Sequence, residues 1–188
     1  RRVTTSTFNG EPCSKNTNEV VVTVNNMTPG TIGSNETICS GSAPQLFTND
    51  VSASGDGTIT YQWQSHTFST TYSNISGATD ATYQAGNLTE DTWYRRVATS
   101  TDNGVPCSEN SNEVVVTVNN LTAGSISANQ TICEGSTPNQ FNSVDATGDG
   151  AITYQWQRRS ASTSYLYVNI SGATDATYQA GALTEDTW

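Results

Sequence analysis

In several short stretches of this chain hydrophobic residues recur at every second position. Ile59-Thr60-Tyr61-Gln62-Trp63-Gln64 places Ile59, Tyr61 and Trp63 on one face and the polar residues on the other, the period of a half-buried β-strand. Thr92–Ser100 predicts a second strand, given aromatic and β-branched bulk by Trp93, Tyr94 and Val97. Glu113–Val118 predicts a third, in which Val114, Val116 and Val118 share a face. Asn9-Gly10 and Asn103-Gly104 are turn signals. No stretch carries a helical period. Short strands separated by turn clusters at intervals of roughly 8–15 residues predict an all-β fold of the sandwich type.

The pattern is written twice. Asn74–Trp93 returns at Asn169–Trp188 with one change, Asn87 to Ala182. Arg1–Pro44 matches Arg95–Pro138 at 31 of 44 positions, an offset of 94. A period of about 94 residues is the size of a small domain and too long for a solenoid unit, so it predicts an array of domains.

Composition narrows the classes. Only 34% of the 188 residues are hydrophobic, which suits strands with one wet face better than the core of an α/β enzyme. A net charge of −10 argues against nucleic acid and anionic membrane surfaces as partners. No run is long enough to span a membrane, and none predicts membrane insertion of this segment. The single lysine, Lys15, cannot supply an isopeptide crosslink in every repeat.

One tryptophan in an early central strand (Trp63, and again Trp156), followed by Leu88-Thr89-Glu90-Asp91-Thr92 leading into an aromatic strand, resembles an immunoglobulin-like sandwich. Val97 stands about where that family carries a strand F cysteine, a departure from its pattern. Thr-Ile-Cys-x-Gly, Tyr-Gln-Trp-Gln, Ile-x-Gly-Ala-Thr, Tyr-Arg-Arg-Val and Ser-Asn-Glu-Val together resemble the tandem Ig-like repeats of giant surface adhesins of Bacteroidota, including the gliding adhesins of flavobacteria exported by the type IX system. The likeness covers the whole chain. It implies tandem immunoglobulin-like β-sandwich domains at a bacterial cell surface.

In that frame the valine-rich strand is strand G, and the joints fall at Asn25-Asn26 and Asn119-Asn120. Residues 27–120 then form a complete Ig-like domain. Residues 1–26 are strands F and G of a preceding domain, and residues 121–188 are strands A to E of a following one. Arg1 aligns with Arg95 and Trp188 with Trp93, so the chain is expected to be two periods of a longer array, cut in mid-strand.

Cys13, Cys39, Cys107 and Cys133 allow three pairings, and their even spacing favours disulfides and an oxidising compartment. Cys39–Cys107 is the expected bond, since it would tie an N-terminal strand to the start of the strand G that it flanks.

Catalysis has little support, and no enzyme activity is expected. His66 is the only histidine and has no counterpart in the second copy. Asp56 and Asp149 lie in glycine-rich loops read as turns that need positive φ; Ca²⁺ is the one metal ion they bring to mind, and one carboxylate falls short of the roughly six to eight oxygens it takes. No cofactor is expected. The copies differ most between residues 65 and 73 and between 158 and 168, where Phe68 and Tyr72 face Arg158, Arg159, Tyr165 and Tyr167; these are the candidate contacts to a glycan or another cell. Arg95-Arg96 is expected to alternate faces, with an arginine over an aromatic ring. The expected role is a structural or adhesive repeat of a secreted, extracellular stalk or filament, its partners the neighbouring repeats. The alternatives are a pilus-like subunit polymerised by strand complementation and a glycan-binding module.

Overall fold

The computed structural model describes residues 1–127 and 129–188, and the fold is all-β. Strands β1 (Val3–Phe8) and β2 (Glu11–Asn16) form an antiparallel hairpin. Its Asn9-Gly10 turn has both residues at positive φ, 51° and 83°, as a two-residue hairpin with right-handed twist requires. The valine run that follows, residues 17–24, pairs with no strand among the described residues.

From residue 27 to 119 ten strands share one core. They are β3 (Met27–Thr28), β4 (Thr31–Ile32), β5 (Glu36–Cys39), β6 (Asn49–Val51), β7 (Ser54–Gly55), β8 (Thr58–Thr67), β9 (Ser73–Asn74), β10 (Thr92–Asp102), β11 (Val105–Asn110) and β12 (Val114–Asn119). The main sheet runs β5-β12-β10-β8-β9, with β11 also on β10. Every pairing in it is antiparallel except β5 with β12. The short ladders β3–β7 and β4–β6 complete this part of the chain.

Alternation puts Trp63 of β8, Tyr94 of β10 and Val114, Val116 and Val118 of β12 into the core. Phe47 and Ile32 close it, Phe47 lying 4.7 Å from the Tyr94 ring and 5.9 Å from Trp63. The buried Trp63 indole N–H is matched, donating to the Asp80 carbonyl at 2.9 Å. Between β11 and β12 the ladder is interrupted, and Asn112 stands in for it. Its carboxamide accepts from the Ile32 N–H at 2.8 Å and donates to the Ile32 carbonyl at 3.0 Å.

Residues 121–188 rebuild part of this plan as β13 (Leu121–Thr122), β14 (Ser125–Ser127), β15 (Asn142–Val144), β16 (Thr147–Gly148), β17 (Gln157–Arg158) and β18 (Val168–Asn169). β13–β16 repeats β3–β7, β14–β15 repeats β4–β6, and β17–β18 repeats β8–β9. The ladder of the ten-residue β8 is reduced here to the two residues of β17, because among the described residues only Thr187 and Trp188 take the place of β10 beside it, Thr187 bridging Ser160 and Trp188 exchanging backbone hydrogen bonds with Arg159 at 2.8 and 2.9 Å.

The strand parity corrects one expectation. The structure has all four cysteines free, and Cys39 and Cys107 lie at opposite ends of the main sheet. Cys107 pairs in register with Ser100 near the top of β10, while Cys39 pairs with Asn119, beyond the Thr92 end. About eleven residues of strand, roughly 36 Å, separate these levels, against the ~7 Å that a disulfide spans. Because β5 runs parallel to β12, its last residue lies against the end of that strand, not its start.

Candidate functional site

Two features stand out as candidate sites: the joint between repeats and the outer face beside the variable loop. At the joint, Asn25 and Asn26 pass directly from the valine run into β3. The Asn26 N–H and carboxamide both donate to one Asp56 carboxylate oxygen, at 2.8 and 3.0 Å. Asn120 and Asp149 repeat this clasp at the same two distances. These hydrogen bonds favour the charged carboxylate, the backbone one first, and hold both aspartates below their ordinary range. The Asn25 carboxamide donates to the Ser100 and Val105 carbonyls at 2.8 and 3.0 Å and accepts from the Ser100 hydroxyl at 2.9 Å, so it plugs into the end of the β10–β11 hairpin.

The glycines beside Asp56 serve this joint differently from the turn expected. Neither Gly55 nor Gly57 has positive φ. A Cβ on Gly55 would meet the Ser100 hydroxyl at 2.6 Å, and one on Gly57 would collide with the Thr101 carbonyl. They are small because another strand passes close by. Asp56 is thus committed to Asn26, and among the described residues no group of three or more His, Cys, Asp or Glu side chains gathers as a metal cluster.

On the outer face, His66 stacks on Trp93 at 5.0 Å and meets the edge of Tyr72 at 4.4 Å. Arg95 lies over the Tyr72 ring at 3.8 Å, and the Tyr72 hydroxyl donates to Glu113 at 2.6 Å. Burial first, then the Glu113 carboxylate, pushes the Tyr72 phenol well above its ordinary range. In the second copy Arg159 replaces His66, lying over Tyr167 at 5.2 Å and Trp188 at 5.4 Å, with Tyr165 5.9 Å from Trp188. Arg158, on the opposite parity of β17, is exposed.

The structure therefore divides the six candidate contacts. Tyr72, Arg159, Tyr165 and Tyr167 are gathered in the aromatic clusters, Tyr165 and Tyr167 remaining 59% and 58% exposed, whereas Phe68 stands alone at the loop tip, 93% exposed. The conserved geometry of the two clusters is legible only when the copies are aligned at 93 before the loop and 95 after it, which pairs His66 with Arg159 and Tyr72 with Tyr167.

Sequence reasoning left open which of the paired arginines would lie on an aromatic ring. Arg96 points inward, fully buried over the Tyr61 ring at 4.3 Å, and donates to the Asn49 side chain at 2.8 Å and the Ala81 carbonyl at 2.6 Å. Burial lowers its pKa. Both arginines are thus cation–π partners, one on each face. No helix of the described residues is long and apolar enough to cross a membrane.

The model of a family described as a domain of unknown function, DUF8696, matches residues 28–120 and again residues 122–188. The chain belongs to this family, of which it carries two matched segments. No curated protein matches it.

Proposed function

We propose that this chain is a stretch of an extracellular stalk or filament built from tandem Ig-like sandwiches, of the kind found in the surface adhesins it resembles. Its repeats set reach and stiffness, and adhesion is left to exposed loop tips such as Phe68 and Tyr165. The observation that carries the reading is the joint. The Asn–Asp clasp recurs with the same partners and the same distances at Asn26–Asp56 and Asn120–Asp149, without a flexible linker between valine strand and next repeat. A joint made this way transmits orientation from each repeat to the next. Under load, the long antiparallel ladder between β8 and β10 is sheared as a unit.

Small-angle scattering on chains of two, four and six periods tests this. A rod gains roughly 36 Å per period, the reach of the eleven-residue β10 at ~3.3 Å per residue. A maximum dimension that grows only as the square root of the number of periods would reject it.

A second reading is polymerisation by strand complementation, in which residues 1–26 of one copy complete residues 121–188 of another. Two complementary features favour it. Val20, Val22 and Val24 are 76%, 84% and 67% exposed, and an open cleft lined by Ile126, Val144 and Trp156 lies where their counterparts pack in the middle repeat. Native mass measurement of the 188-residue chain at rising concentration separates the two. A ladder of 188-residue multiples supports polymerisation; a constant monomer mass supports the covalent array.

A further inference from the structure

We infer that consecutive repeats are joined covalently, by a disulfide between the cysteine that ends β5 of one repeat and the hairpin cysteine of β11 in the next. The inference rests on the tandem-stalk reading. Its starting point is that Cys39 and Cys107 cannot reach each other within a repeat, and that each faces the end where a neighbouring repeat docks.

At the far end of the middle repeat, Cys39 is the register partner of Asn119 across the parallel β5–β12 pair. Register partners point to the same side of a sheet, and both residues follow a buried one, Ile38 and Val118, so both side chains face outward. Asn119 is the counterpart of Asn25 at an offset of 94.

At the near end, Asn25 shows what that asparagine touches in the repeat that follows it. Its carboxamide makes three hydrogen bonds at the hairpin end, two to Ser100 (its carbonyl at 2.8 Å and its hydroxyl at 2.9 Å) and one to the Val105 carbonyl at 3.0 Å. Cys107 is the register partner of Ser100, so its thiol lies on the same face as that hydroxyl, and it is half-buried. Superposing the two ends through the shared asparagine puts a Cys39-type thiol beside the asparagine and a Cys107-type thiol beside the serine that the asparagine binds. Each lies about one strand spacing, ~4.8 Å, from a residue of this hydrogen-bonded link, and the bond forms where the two stand on the same side of it, within the ~7 Å Cα separation a disulfide accepts. The repeated Asn–Asp clasp holds this alignment at every joint.

The chemistry is thiol–disulfide exchange with a small organic disulfide. The thiolate of one cysteine attacks it and releases one small thiol. The second cysteine then displaces the other, leaving one protein disulfide and two small thiols, with the two cysteine protons carried by those thiols. Residue identities modulo the two-period repeat make the pairs Cys39 with a following Cys13, and Cys133 with a following Cys107.

The test is a chain of two 188-residue copies joined through one tyrosine, the counterpart of Tyr94, oxidised with oxidised glutathione and mapped without reduction. The expected result is two bonds, Cys39 of the first copy to Cys13 of the second and Cys133 of the first to Cys107 of the second, with four thiols free. Cys13→Ser in the second copy should raise the free thiols to five and leave the other bond in place. Eight free thiols in a chain whose scattering shows stacked repeats would overturn the bond and spare the stalk. Repeats that do not stack would overturn both, and a Cys39–Cys107 peptide from within a repeat would overturn the inference.

Discussion

Residues 27–120 and 121–188 are close copies in sequence and unequal in structure. Trp63 is fully buried, while Trp156, in the same Tyr-Gln-Trp-Gln context, is partly exposed. Their local bonds are the same. Each indole N–H donates at 2.9 Å, to Asp80 and to Asp175, and each neighbouring glutamine, Gln62 and Gln155, donates to two carbonyls at 2.8–2.9 Å. Each tryptophan also keeps a phenylalanine and a tyrosine ring beside it. What differs is the covering wall of β10 and β12. The lesson is that hydrogen bonds reaching within twenty residues template half of the core, and burial waits for strands that arrive later in the chain.

The largest test of this contrast is tryptophan removal. Trp63→Ala should cost about 3–5 kcal/mol, whereas Trp156→Ala should leave the unfolding midpoint of the middle repeat unchanged; urea unfolding followed by circular dichroism checks both. Equal losses would mean that residues 121–188 are covered in solution.

Next in size is the valine wall. Val116→Ala, at a fully buried position, should cost about 2 kcal/mol. Its counterpart Val22→Ala, at 84% exposure, should cost almost nothing at low concentration. If the Val22 change instead lowers stability in a concentration-dependent way, the exposed valine run is being used by another copy.

A third test is alkaline. Burial first, with Tyr83 adding to it, pushes Tyr94 up to about 12. A phenol whose folded pKa is raised contributes stability that is complete below its unfolded pKa, ~10, and that is lost as pH rises through the folded value. The melting temperature should therefore hold to about pH 9–10 and fall between there and pH 12. Tyr94→Phe should flatten part of that fall; an unchanged slope would remove Tyr94 as its cause.

The smallest effect belongs to the joint. Asp56 and Asp149 have lowered pKa values, so their contribution is present above the unfolded carboxylate value, ~3.9, and is lost as pH falls through the lower folded one. Scattering from a multi-period chain should be constant from pH 7 to 5 and loosen below about pH 4. Asp56→Asn should produce the looser form at neutral pH without unfolding the repeat. A joint that stays stiff in that variant would mean the clasp does not set orientation.

Much of this was legible from residue pattern. The alternation through Trp63, the valine strand, the Asn-Gly hairpins and the all-β class follow from period and turn chemistry, because each depends on neighbours within a few residues. The outer-face clusters were partly legible, since Tyr72 and Tyr167 align once the loop lengths are allowed for. Asp56 lies in the bend between β7 and β8 that the glycine-rich loop predicts, but what it binds, Asn26, is thirty residues away. Trp93 and Tyr94 are alike in sequence as aromatic bulk, whereas strand parity sends Tyr94 into the core and Trp93 onto His66.

By itself, then, the sequence determined the strands, their faces, the period and the residues at the joint, all set by local sterics and by the twofold repeat of side chains along a strand. Only the tertiary structure decided which end of the sheet each cysteine occupies and which of two identical tryptophans is buried. The first depends on β5 pairing parallel to β12, the second on whether β10 and β12 are there to pack. Both are properties of strand partners remote in the chain, and no local pattern carries the direction or the presence of a partner.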